Sequence, residues 1–305
     1  MLTPNSLYPG AKVALLCPSS SVAEDRLEPM VADVKALGLE PVVYPSCYYA
    51  NHRGIFAADD GQRAKDLQDA FADPEIKGIL CLRGGNGAPR LLPLLDWKEI
   101  ARHPKPFFGY SDLTSIHIAL NQCCRMVSYH TPMPIAGWYS SGDEYTLTYL
   151  RRALFGALSG PLPLGDETET LQSGKARGQL CGGNLARVRD SLGTPWELDT
   201  RGKILFLEDV DLPLWQIDNA LTQLRNAGKL DECAGILLGK WVNCTAPAGQ
   251  EDSLTLQEIV EELVLPSNKP VLAGLPCGHS LPTMSLPLGA LCAMDADAKT
   301  LEVLN

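Results

Sequence analysis

The chain has 305 residues, which at about 150 residues per domain predicts two domains. Hydrophobic residues make up 45% of the chain and charged residues 20%, a balance typical of a globular protein and not of a disordered one. The 26 basic residues are outnumbered by 36 acidic ones, and the net charge of −10 disfavours a nucleic-acid partner and docking on anionic membranes.

In the first half of the chain, short apolar strands alternate with amphipathic helices. This alternation predicts a mostly parallel sheet covered by helices on both faces, with functional groups at the carboxyl ends of the strands. The predicted strands are 12–17, 41–45, 76–82, 106–110 and 125–129, and the predicted helices are 23–37, 59–71, 111–122 and 143–155.

A stretch rich in glycine, proline and acidic residues separates the two halves. Its composition predicts a linker at 157–177, between an N-terminal domain at 1–156 and a C-terminal domain at 178–305. The second half is less regular and predicts an α+β domain. Its predicted strands are 203–210, 234–239, 270–275, 283–290 and 300–304, and its predicted helices are 213–228 and 255–264.

The ten cysteines do not follow a metal-binding or disulfide pattern. The sequence contains no C-x-x-C, and no cysteine pair has a histidine at zinc-ligand spacing. Most lie in apolar runs, as Cys17 does in KVALLC, so we expect reduced, buried thiols. The sequence shows no signal peptide and no segment near the ~20 apolar residues of a membrane span, which with the free thiols predicts a cytoplasmic protein.

The strongest local signal is a serine, Ser111, between a strand and a helix in KPFFGYSDLTSIHIAL. A hydroxyl at such a turn is held out beside the N–H groups of the new helix, which suits a nucleophile with an oxyanion donor at the amide of Asp112. The alternative is that Ser111 only caps the helix. The G-Y-S-D motif also departs from the G-x-S-x-G of α/β-hydrolases, because Leu113 occupies the position of the second glycine.

A second signal is the glycine turn formed by Gly84, Gly85, Asn86 and Gly87, which follows an apolar strand. Backbone amides at such a turn can hold a phosphate, a carboxylate or an oxyanion, and the alternative is a plain glycine turn. The sequence contains neither the dinucleotide fingerprint nor the P-loop, so it predicts no nucleotide cofactor.

A nucleophilic serine needs a base, and the chain has five histidines. The favoured base is His279 on a loop, with His130 as an alternative on the rim near Ser111, whereas His117 is expected to pack within a helix. Glu208 ends the apolar run KILFLE, where a carboxylate must find a partner or line a cleft, and a solvated acidic loop is the alternative. Together, Ser111, Glu208 and His279 would form a nucleophile, orienting acid and base in an interdomain cleft.

Five stretches along the chain resemble a known family. They are LRGGNGAPRLL, FFGYSDLTSIH, GQLCGGNLARVRDSLGTPWELD, ILFLEDVDLPLWQIDNALTQLRNAG and GLPCGHSLPTMSLPLGA. The chain resembles the LD-carboxypeptidases of peptidase family S66, which are cytoplasmic muramoyl-tetrapeptide carboxypeptidases and relatives that give self-immunity to microcin C. The resemblance covers nearly the whole chain. It implies an N-terminal flavodoxin-like sheet joined by a linker to a smaller C-terminal β-rich domain, often as a homodimer.

The resemblance implies a role for each motif. In the family the serine of G-x-S-D is the nucleophile, the glutamate of the L-E-D strand end orients the base, and the histidine of the G-H loop is the base. These positions are Ser111, Glu208 and His279 in this chain. The amide after the serine and one from the R-G-G turn form the oxyanion hole, which implies Asp112 and Gly85 here.

Two departures from the family pattern bear on substrate choice. The R-G-G turn of the family frequently carries an aromatic residue where this chain has Asn86, and a tryptophan often precedes G-G-N where this chain has Cys181. We expect Cys181 and Cys277 to flank the site and tune its pocket. Arg83 and the amides of the glycine turn, with Asn86 among them, are candidates for holding the substrate carboxylate, and a structural ion pair is the alternative for Arg83.

These residues and the resemblance imply a serine carboxypeptidase that releases terminal D-alanine from a murein tetrapeptide in cell-wall recycling. Such an enzyme would need no cofactor and no metal, and it would act as a homodimer on a small peptide without nucleic-acid or membrane partners. An alternative is a microcin C immunity-type amidase acting on peptidyl- or aminoacyl-adenylates. Trp138 or Trp196 could be an aromatic platform for the nucleobase, and ordinary packing is the alternative for either tryptophan. A third hypothesis is a non-catalytic solute-binding protein, which would need export.

Overall fold

The chain divides into two compact units, each with its own sheet. Unit 1 comprises Met1–Leu158 and Met284–Gly289, and unit 2 comprises Ser159–Thr283 and Ala290–Asn305. This computed structural model describes residues 1–49, 52–137, 139, 142–156, 158–249 and 253–304.

Strands and helices alternate in unit 1 and follow each other less regularly in unit 2. The strands are β1 (Lys12–Leu16), β2 (Glu40–Val43), β3 (Gly78–Cys81), β4 (Phe107–Gly109), β5 (Ser128–His130), β6 (Gly160–Leu162), β7 (Glu169–Gln172), β8 (Lys175–Asn184), β9 (Ile204–Val210), β10 (Gly235–Val242), β11 (Val271–Ala273), β12 (Leu286–Leu288), β13 (Leu291–Asp295) and β14 (Thr300–Val303). The α-helices are α1 (Glu24–Ala36), α2 (Asp60–Ala72), α3 (Trp97–Arg102), α4 (Thr114–Cys123), α5 (Glu144–Leu154), α6 (Leu185–Ser191), α7 (Leu214–Asn226), α8 (Lys229–Glu232) and α9 (Leu256–Leu263).

Unit 1 is built on a six-stranded sheet in the order β2-β1-β3-β4-β5-β12. The strands β1 to β5 run parallel, and β12 joins β5 at the edge in the antiparallel direction. The order 2-1-3-4-5 is that of flavodoxin-like sheets, which bind ligands beyond the carboxyl ends of their strands. The flavodoxin-like, mostly parallel sheet expected for the first half is therefore confirmed.

Local chemistry explains where the elements of unit 1 begin and end. The central strands β1, β3 and β4 are almost entirely buried, as apolar strands covered on both faces should be. Helix α2 begins where the Asp59 carboxylate accepts a hydrogen bond from the Gln62 amide at 2.9 Å. It ends where the Lys105 ammonium donates to the carbonyls of Ala70 and Asp73, and burial lowers the pKa of Lys105 to about 8.

Unit 2 is built on an eight-stranded mixed sheet in the order β6-β14-β13-β8-β9-β10-β11-β7. Its middle strands, β8 to β11, run parallel, whereas β13, β14 and β6 on one side and β7 on the other run antiparallel to their neighbours. This arrangement confirms the β-rich α+β class. It also brings the carboxyl ends of β8 and β9 side by side, with Asn184 in register with Glu208.

The stretch expected to be a linker carries strands instead. The described residues within 157–177 include β6, β7 and the start of β8. Both β6 and β7 are edge strands, where Pro161 is tolerated because one side of the strand makes no ladder hydrogen bonds. A composition rich in glycine and proline therefore does not distinguish edge strands from a linker, because edge strands tolerate proline.

The segment Met284–Gly289 belongs to unit 1, although it falls within the 178–305 expected for the C-terminal domain. In β12, Leu286 pairs with His130 and Leu288 pairs with Ser128. A short apolar run predicts a strand, but it does not specify which sheet the strand joins.

The described parts of the chain include no helix that is both long and apolar enough to cross a membrane. All ten cysteines are free thiols, and most are buried as expected. The exceptions are Cys123, which is exposed, and Cys124 and Cys244, which are partly buried.

Candidate active site

Ser111 is separated from the end of β4 by one residue, at the carboxyl edge of the sheet in unit 1. Its φ angle is +65°, a left-handed conformation that costs a non-glycine residue of order 1–3 kcal/mol. The serine opens a short 3₁₀ helix, Ser111–Leu113, and the N-cap of α4 is Leu113. Ser111 therefore occupies a strained strand-to-helix turn, as a nucleophile at such a turn does, and it is not the residue that caps α4.

The glycine turn after β3 packs against this serine. A methyl group at Gly84 would lie 3.0 Å from Ser111 Cβ and 3.2 Å from Ser111 Oγ, so the turn approaches the hydroxyl as closely as only a glycine permits. Gly85 has a φ angle of +104°, and a methyl group there would overlap Ser20 Oγ. The backbone at Gly84 and Gly85 is consequently fixed by its neighbours next to the candidate nucleophile.

The carboxylate of Asp112 ties two loops to the same place. It is buried and accepts hydrogen bonds from the hydroxyl of Ser19 at 2.7 Å and from the amide of Ala88 at 2.8 Å. Ser19 lies in the loop after β1, and Ala88 follows the glycine turn after β3. The loops after three neighbouring strands, β1, β3 and β4, thus meet at the residue whose amide is the expected oxyanion donor.

The loop after β1 also supports the glycine turn directly. The Ser20 amide donates to the carbonyl of Gly84 at 3.2 Å, and the Asn86 amide donates to Ser20 Oγ at 3.1 Å. Arg83 is partly buried, and its Nη1 donates to the carbonyl of Ser21 at 2.6 Å. The Asn86 side chain is exposed at this edge.

Glu208 and His279 form a buried pair in unit 2. Glu208 near the end of β9 is fully buried, and its Oε2 accepts a hydrogen bond from His279 Nδ1 at 2.7 Å. Because Nδ1 carries the proton in this pair, Nε2 is the nitrogen that can take and return a proton. This is the orientation that a carboxylate gives to a catalytic base.

The charges around His279 raise its pKa above the usual 6.5. Burial lowers the pKa, but the carboxylate of Glu208 and its hydrogen bond, together with Asp209 and Asp211, outweigh that effect. Burial in turn raises the pKa of Glu208, against the opposing effect of His279. The hydrogen bond between His279 and Glu208 therefore stabilises a buried carboxylate that would be costly to bury without a partner.

Two glycines leave room for this pair. A methyl group at Gly278, whose φ angle is +140°, would lie 2.9 Å from Glu208 Oε2. A methyl group at Gly239 would lie 3.1 Å from Glu208 Cβ and would overlap the carbonyl of Cys277. The backbone of β10 and of the histidine loop therefore encloses the carboxylate.

Asp209, which follows Glu208 in β9, has a structural role. Asp209 is buried and accepts hydrogen bonds from Asn184 Nδ2 at 2.8 Å and from the amide of Ala186 at 2.9 Å. It thereby holds the first turn of α6, where Asn184 is the N-cap. Glu208 and Asp209 are both buried, so neither belongs to the solvated acidic loop that was the alternative for this strand end.

The other histidines considered as bases lie in the core of unit 1. His117 is fully buried in α4, where Nε2 donates to the carbonyl of Gly109 at 2.9 Å and Nδ1 accepts from Ser128 Oγ at 2.8 Å. Burial lowers the pKa of His117 to about 4 against the effect of the Gly109 hydrogen bond, so it packs as expected. His130 is buried in β5 with its ring edge-on to Tyr110, at 5.6 Å between centroids.

Of the remaining candidates, Cys277 is buried within the electrostatic influence of Glu208, whereas Cys181 is buried near Lys203. Burial raises the pKa of Cys277, and the charge of Glu208 raises it further. Burial raises the pKa of Cys181 to about 12, and the charge of Lys203 opposes this. Trp196 is partly buried, and Trp138 lies outside the described residues.

Sequence reasoning missed the groups that hold the site in place. Ser19 and Asn184 were not singled out, although each lies in a recognisable signal: a run of three serines that begins three residues after the end of β1, and G-G-N at the end of β8. A polar residue at the carboxyl end of a parallel strand is the pattern that could have identified both.

Two family models match the chain. The LD-carboxypeptidase N-terminal domain matches residues 13–131, and the LD-carboxypeptidase C-terminal domain matches residues 177–294.

Individual proteins match over nearly the whole length. The chain is 37% identical over 300 residues to a probable murein peptide carboxypeptidase of Bacillus subtilis (strain 168), covering 97% of this chain and 92% of that protein. It is 28% identical over 299 residues to a murein tetrapeptide carboxypeptidase of Pseudomonas aeruginosa, covering 94% of each. The solved structure of the microcin C7 self immunity protein MccF in its wild-type apo state has the same fold, with a TM-score of 0.90 at 23% identity over 100% of this chain and 99% of that one.

Proposed function

Since the chain belongs to the S66 family of LD-carboxypeptidases, which makes it a serine-type peptidase, we propose that it cleaves an L–D peptide bond and releases terminal D-alanine from a murein tetrapeptide. Similarity to a murein peptide carboxypeptidase over 97% of the chain supports this substrate class. The observation that carries the chemistry is Ser111, held at a φ angle of +65° against the glycine turn at the carboxyl edge of its sheet.

In the proposed acylation step, Ser111 is the nucleophile and His279 is the base. As Oγ attacks the scissile carbonyl carbon, its proton passes to Nε2 of His279. Glu208 holds Nδ1 at 2.7 Å and stabilises the imidazolium that forms. The electron pair of the carbonyl π-bond moves to the carbonyl oxygen, which becomes the oxyanion.

The backbone amides of Gly85 and Asp112 are the proposed donors to this oxyanion. Donors placed in advance where charge develops contribute most when their positions are fixed, and removing one typically costs about 10²–10³ in kcat. The contacts of Gly84 with Ser111 and of Asp112 with two loops fix both amides in the way such donors require.

The remaining steps use the same groups. The tetrahedral intermediate collapses as the C–N bond breaks, and the leaving amine of D-alanine takes the proton from His279. A water molecule then attacks the acyl-enzyme with His279 as the base, and Ser111 recovers its proton when the shortened peptide leaves.

We also propose that the terminal carboxylate of the substrate binds at the glycine turn. The turn offers backbone amides, and the partly buried Arg83 offers a guanidinium beside them. Asn86 is exposed on the same turn, where it forms part of the surface offered to the peptide. Arg83 keeps one nitrogen on the carbonyl of Ser21, which fixes its direction and leaves the other donors for a ligand.

Cell-wall recycling in the cytoplasm is the setting that we propose for this reaction. The reaction needs no cofactor and no metal in the scheme above, because the nucleophile, base and oxyanion donors are all protein groups. We propose a homodimer as the working assembly, with small murein peptides and not nucleic acid or membrane as its partners.

A second candidate function is an amidase of the microcin C immunity type, acting on peptidyl- or aminoacyl-adenylates. It is supported by 26% identity over 272 residues, 79% of this chain, to the microcin C7 self-immunity protein MccF of Escherichia coli, whereas the fold shared with the solved MccF structure supports the scaffold alone. The same Ser111, Glu208 and His279 would perform the acyl transfer. The two functions therefore differ in what binds beside the nucleophile.

Product analysis separates these functions. We expect mass spectrometry to show a tripeptide and free D-alanine from a murein tetrapeptide, with little turnover of tri- and pentapeptides. Cleavage of an aminoacyl sulfamoyl adenylate without release of D-alanine would favour the amidase instead.

Substitution tests the nucleophile. We expect Ser111→Ala to lower kcat by several orders of magnitude, since removing a triad serine costs about 10⁶ in the subtilisin example. Ser267→Ala is a matched control, because this partly buried serine donates to the carbonyl of Val264 in unit 2. Full turnover of the tetrapeptide by Ser111→Ala would refute the proposal.

A further inference from the structure

Arg63 is a fully buried cation that the mechanism above does not use. Its side chain is 0% exposed in α2, and its guanidinium is divided among three acceptors. Nε donates to the carbonyl of Ala58 at 3.1 Å, Nη1 donates to the carbonyl of Pro18, and Nη2 pairs with the carboxylate of Asp60. Burying an arginine completely is costly, so the contacts that compensate for it indicate what it holds in place.

Arg63 contacts the glycine turn as well as the loop after β1. A methyl group at Gly87, whose φ angle is +118°, would lie 2.6 Å from Arg63 Nη1 and 2.8 Å from Phe56 Cδ1. Gly87 therefore packs against the guanidinium of Arg63 and against the ring of Phe56, over which the guanidinium lies at 4.9 Å.

Two of the residues that Arg63 contacts, Pro18 and Gly87, each directly precede a residue that donates a hydrogen bond to Asp112. Pro18 directly precedes Ser19, whose hydroxyl donates to Asp112 Oδ2, and Gly87 directly precedes Ala88, whose amide donates to the same oxygen. Arg63 thus fixes the residue before each of the two donors that hold Asp112.

We propose that Arg63 is a positioning residue for the oxyanion hole. By holding Pro18 and Gly87 it sets the two donors to Asp112, and through them the direction of the Asp112 amide beside Ser111. A lysine cannot replace it, because a single ammonium does not reach three acceptors in the planar fork of a guanidinium. This inference rests on the proposed function, in which the Asp112 amide stabilises the oxyanion.

Arg90 provides a matched control for the same surroundings. Its guanidinium stacks on the same ring of Phe56 at 5.1 Å and binds the same Asp60 carboxylate, with Nε 2.9 Å from Oδ2. Its side chain, however, is 54% exposed. A change at Arg90 therefore disturbs the ion pair and the stacking but leaves the contacts of Arg63 with Pro18 and Gly87 in place.

The experiment compares Arg63→Lys with Arg90→Lys in the full chain. We expect Arg63→Lys to lower kcat for D-alanine release about 10–100-fold with KM changed less than about threefold, because small misplacements of catalytic groups cost up to about 10². We expect Arg90→Lys to keep both constants within about twofold, as surface pairs contribute little. The rate of Ser111 labelling by a fluorophosphonate should fall with kcat in Arg63→Lys, because labelling uses the same oxyanion donors.

Ser19→Ala tests the same connection with a smaller risk to folding. It removes one donor to Asp112 and should lower kcat and the labelling rate about tenfold, with little change in KM. Circular dichroism and thermal unfolding identify a variant that has not folded, and in that case Ser19→Ala decides the question.

Several outcomes would overturn the inference. They are a folded Arg63→Lys that retains wild-type kcat and labelling, an equal loss in Arg90→Lys, a loss that falls on KM alone, or wild-type labelling of Ser19→Ala. A wild-type enzyme that is labelled but releases no D-alanine would refute the proposed substrate only, and the labelling comparison would still test Arg63. A wild-type enzyme that is neither active nor labelled would refute both.

Discussion

Replacing Glu208 by glutamine tests the central electrostatic claim about the base. The glutamine has nearly the same shape as the glutamate, so packing around the buried side chain should be retained. The substitution removes the charge that faces His279 at 2.7 Å. It also offers an N–H₂ group that favours the imidazole tautomer with Nδ1 unprotonated, which places the remaining proton on Nε2, where a base must have none.

The expected loss follows from the burial of the pair. Glu208 is fully buried, so solvent cannot replace its charge, and the imidazolium formed in the transition state loses its compensating carboxylate. The equivalent change in a trypsin-type triad lowers kcat about 10⁴-fold. We expect a decrease of about 10³–10⁴, or roughly 4–5.5 kcal/mol of transition-state stabilisation.

The pH dependence gives the sharper test, because its sign can be worked out. The proposed reaction needs neutral His279, and in the wild type the pKa of His279 is raised above 6.5, so the acid limb of the kcat/KM profile should lie above pH 6.5. Without the charge of Glu208, burial dominates and lowers the pKa of His279. The acid limb of Glu208→Gln should therefore move to lower pH than that of the wild type.

The assay is D-alanine release from the tetrapeptide between pH 5 and 9, with the residual rate of Glu208→Gln followed over long incubations. Asp211→Asn is the control, since it removes an exposed charge that raises the pKa of His279 less than Glu208 does. It should move the limb less and retain most of kcat. An acid limb that stays in place or moves to higher pH in Glu208→Gln would refute the reasoning.

Three further predictions follow from the structure. Gly84→Ala places a methyl group 3.2 Å from Ser111 Oγ and should lower kcat/KM about 10–100-fold in a folded protein. The control is Gly165→Ala, whose methyl group would have its nearest neighbour at 3.5 Å, and this variant should keep kcat/KM within about twofold of the wild type. The double variant Ser111→Ala/His279→Ala should have about the same residual kcat as the slower single variant, since triad members act as a unit, and additive losses would contradict this. Burial lowers the pKa of Lys105 to about 8, from about 10.4 in the unfolded chain. The contribution of neutral Lys105 to stability is therefore present above the unfolded pKa and is lost as pH falls through 8. Urea unfolding should show the free energy of unfolding of the wild type rising by roughly 1–2 kcal/mol between pH 8 and 10 relative to that of Lys105→Met. An equal pH dependence of the two proteins would contradict the last prediction.

The elements that could be predicted from the sequence are those whose local pattern decides their structure. Consecutive apolar residues in KVALLC and PFFGY predict strands buried on both faces, and β1 and β4 lie there. A polar or charged side chain at the end of an apolar run is then a candidate for function, which is how Ser111 after PFFGY and Glu208 at the end of KILFLE are identified from the sequence.

What could not be predicted depends on contacts between residues far apart in the sequence. Edge strands such as β6 have a turn-like composition, and the partner of β12 is 156 or more positions away, so neither follows from local periodicity. Arg63 has the sequence appearance of an exposed helical arginine, and only the fold shows that it is buried. Likewise, Ser19 acquires a role only because β1 lies near β4 in the sheet.

The late strand β12 constrains the order of events during synthesis on a ribosome. Asn121 Nδ2 donates to the carbonyl of Leu288 at 3.1 Å across a sequence separation of 167 residues, so the outer edge of β5 stays open until nearly all of unit 2 has been translated. An open strand edge is a template for pairing with other chains, and nascent polypeptides that stall before residue 284 should be correspondingly prone to aggregate. The unit that carries the candidate nucleophile is begun first by the translation machinery and completed almost last.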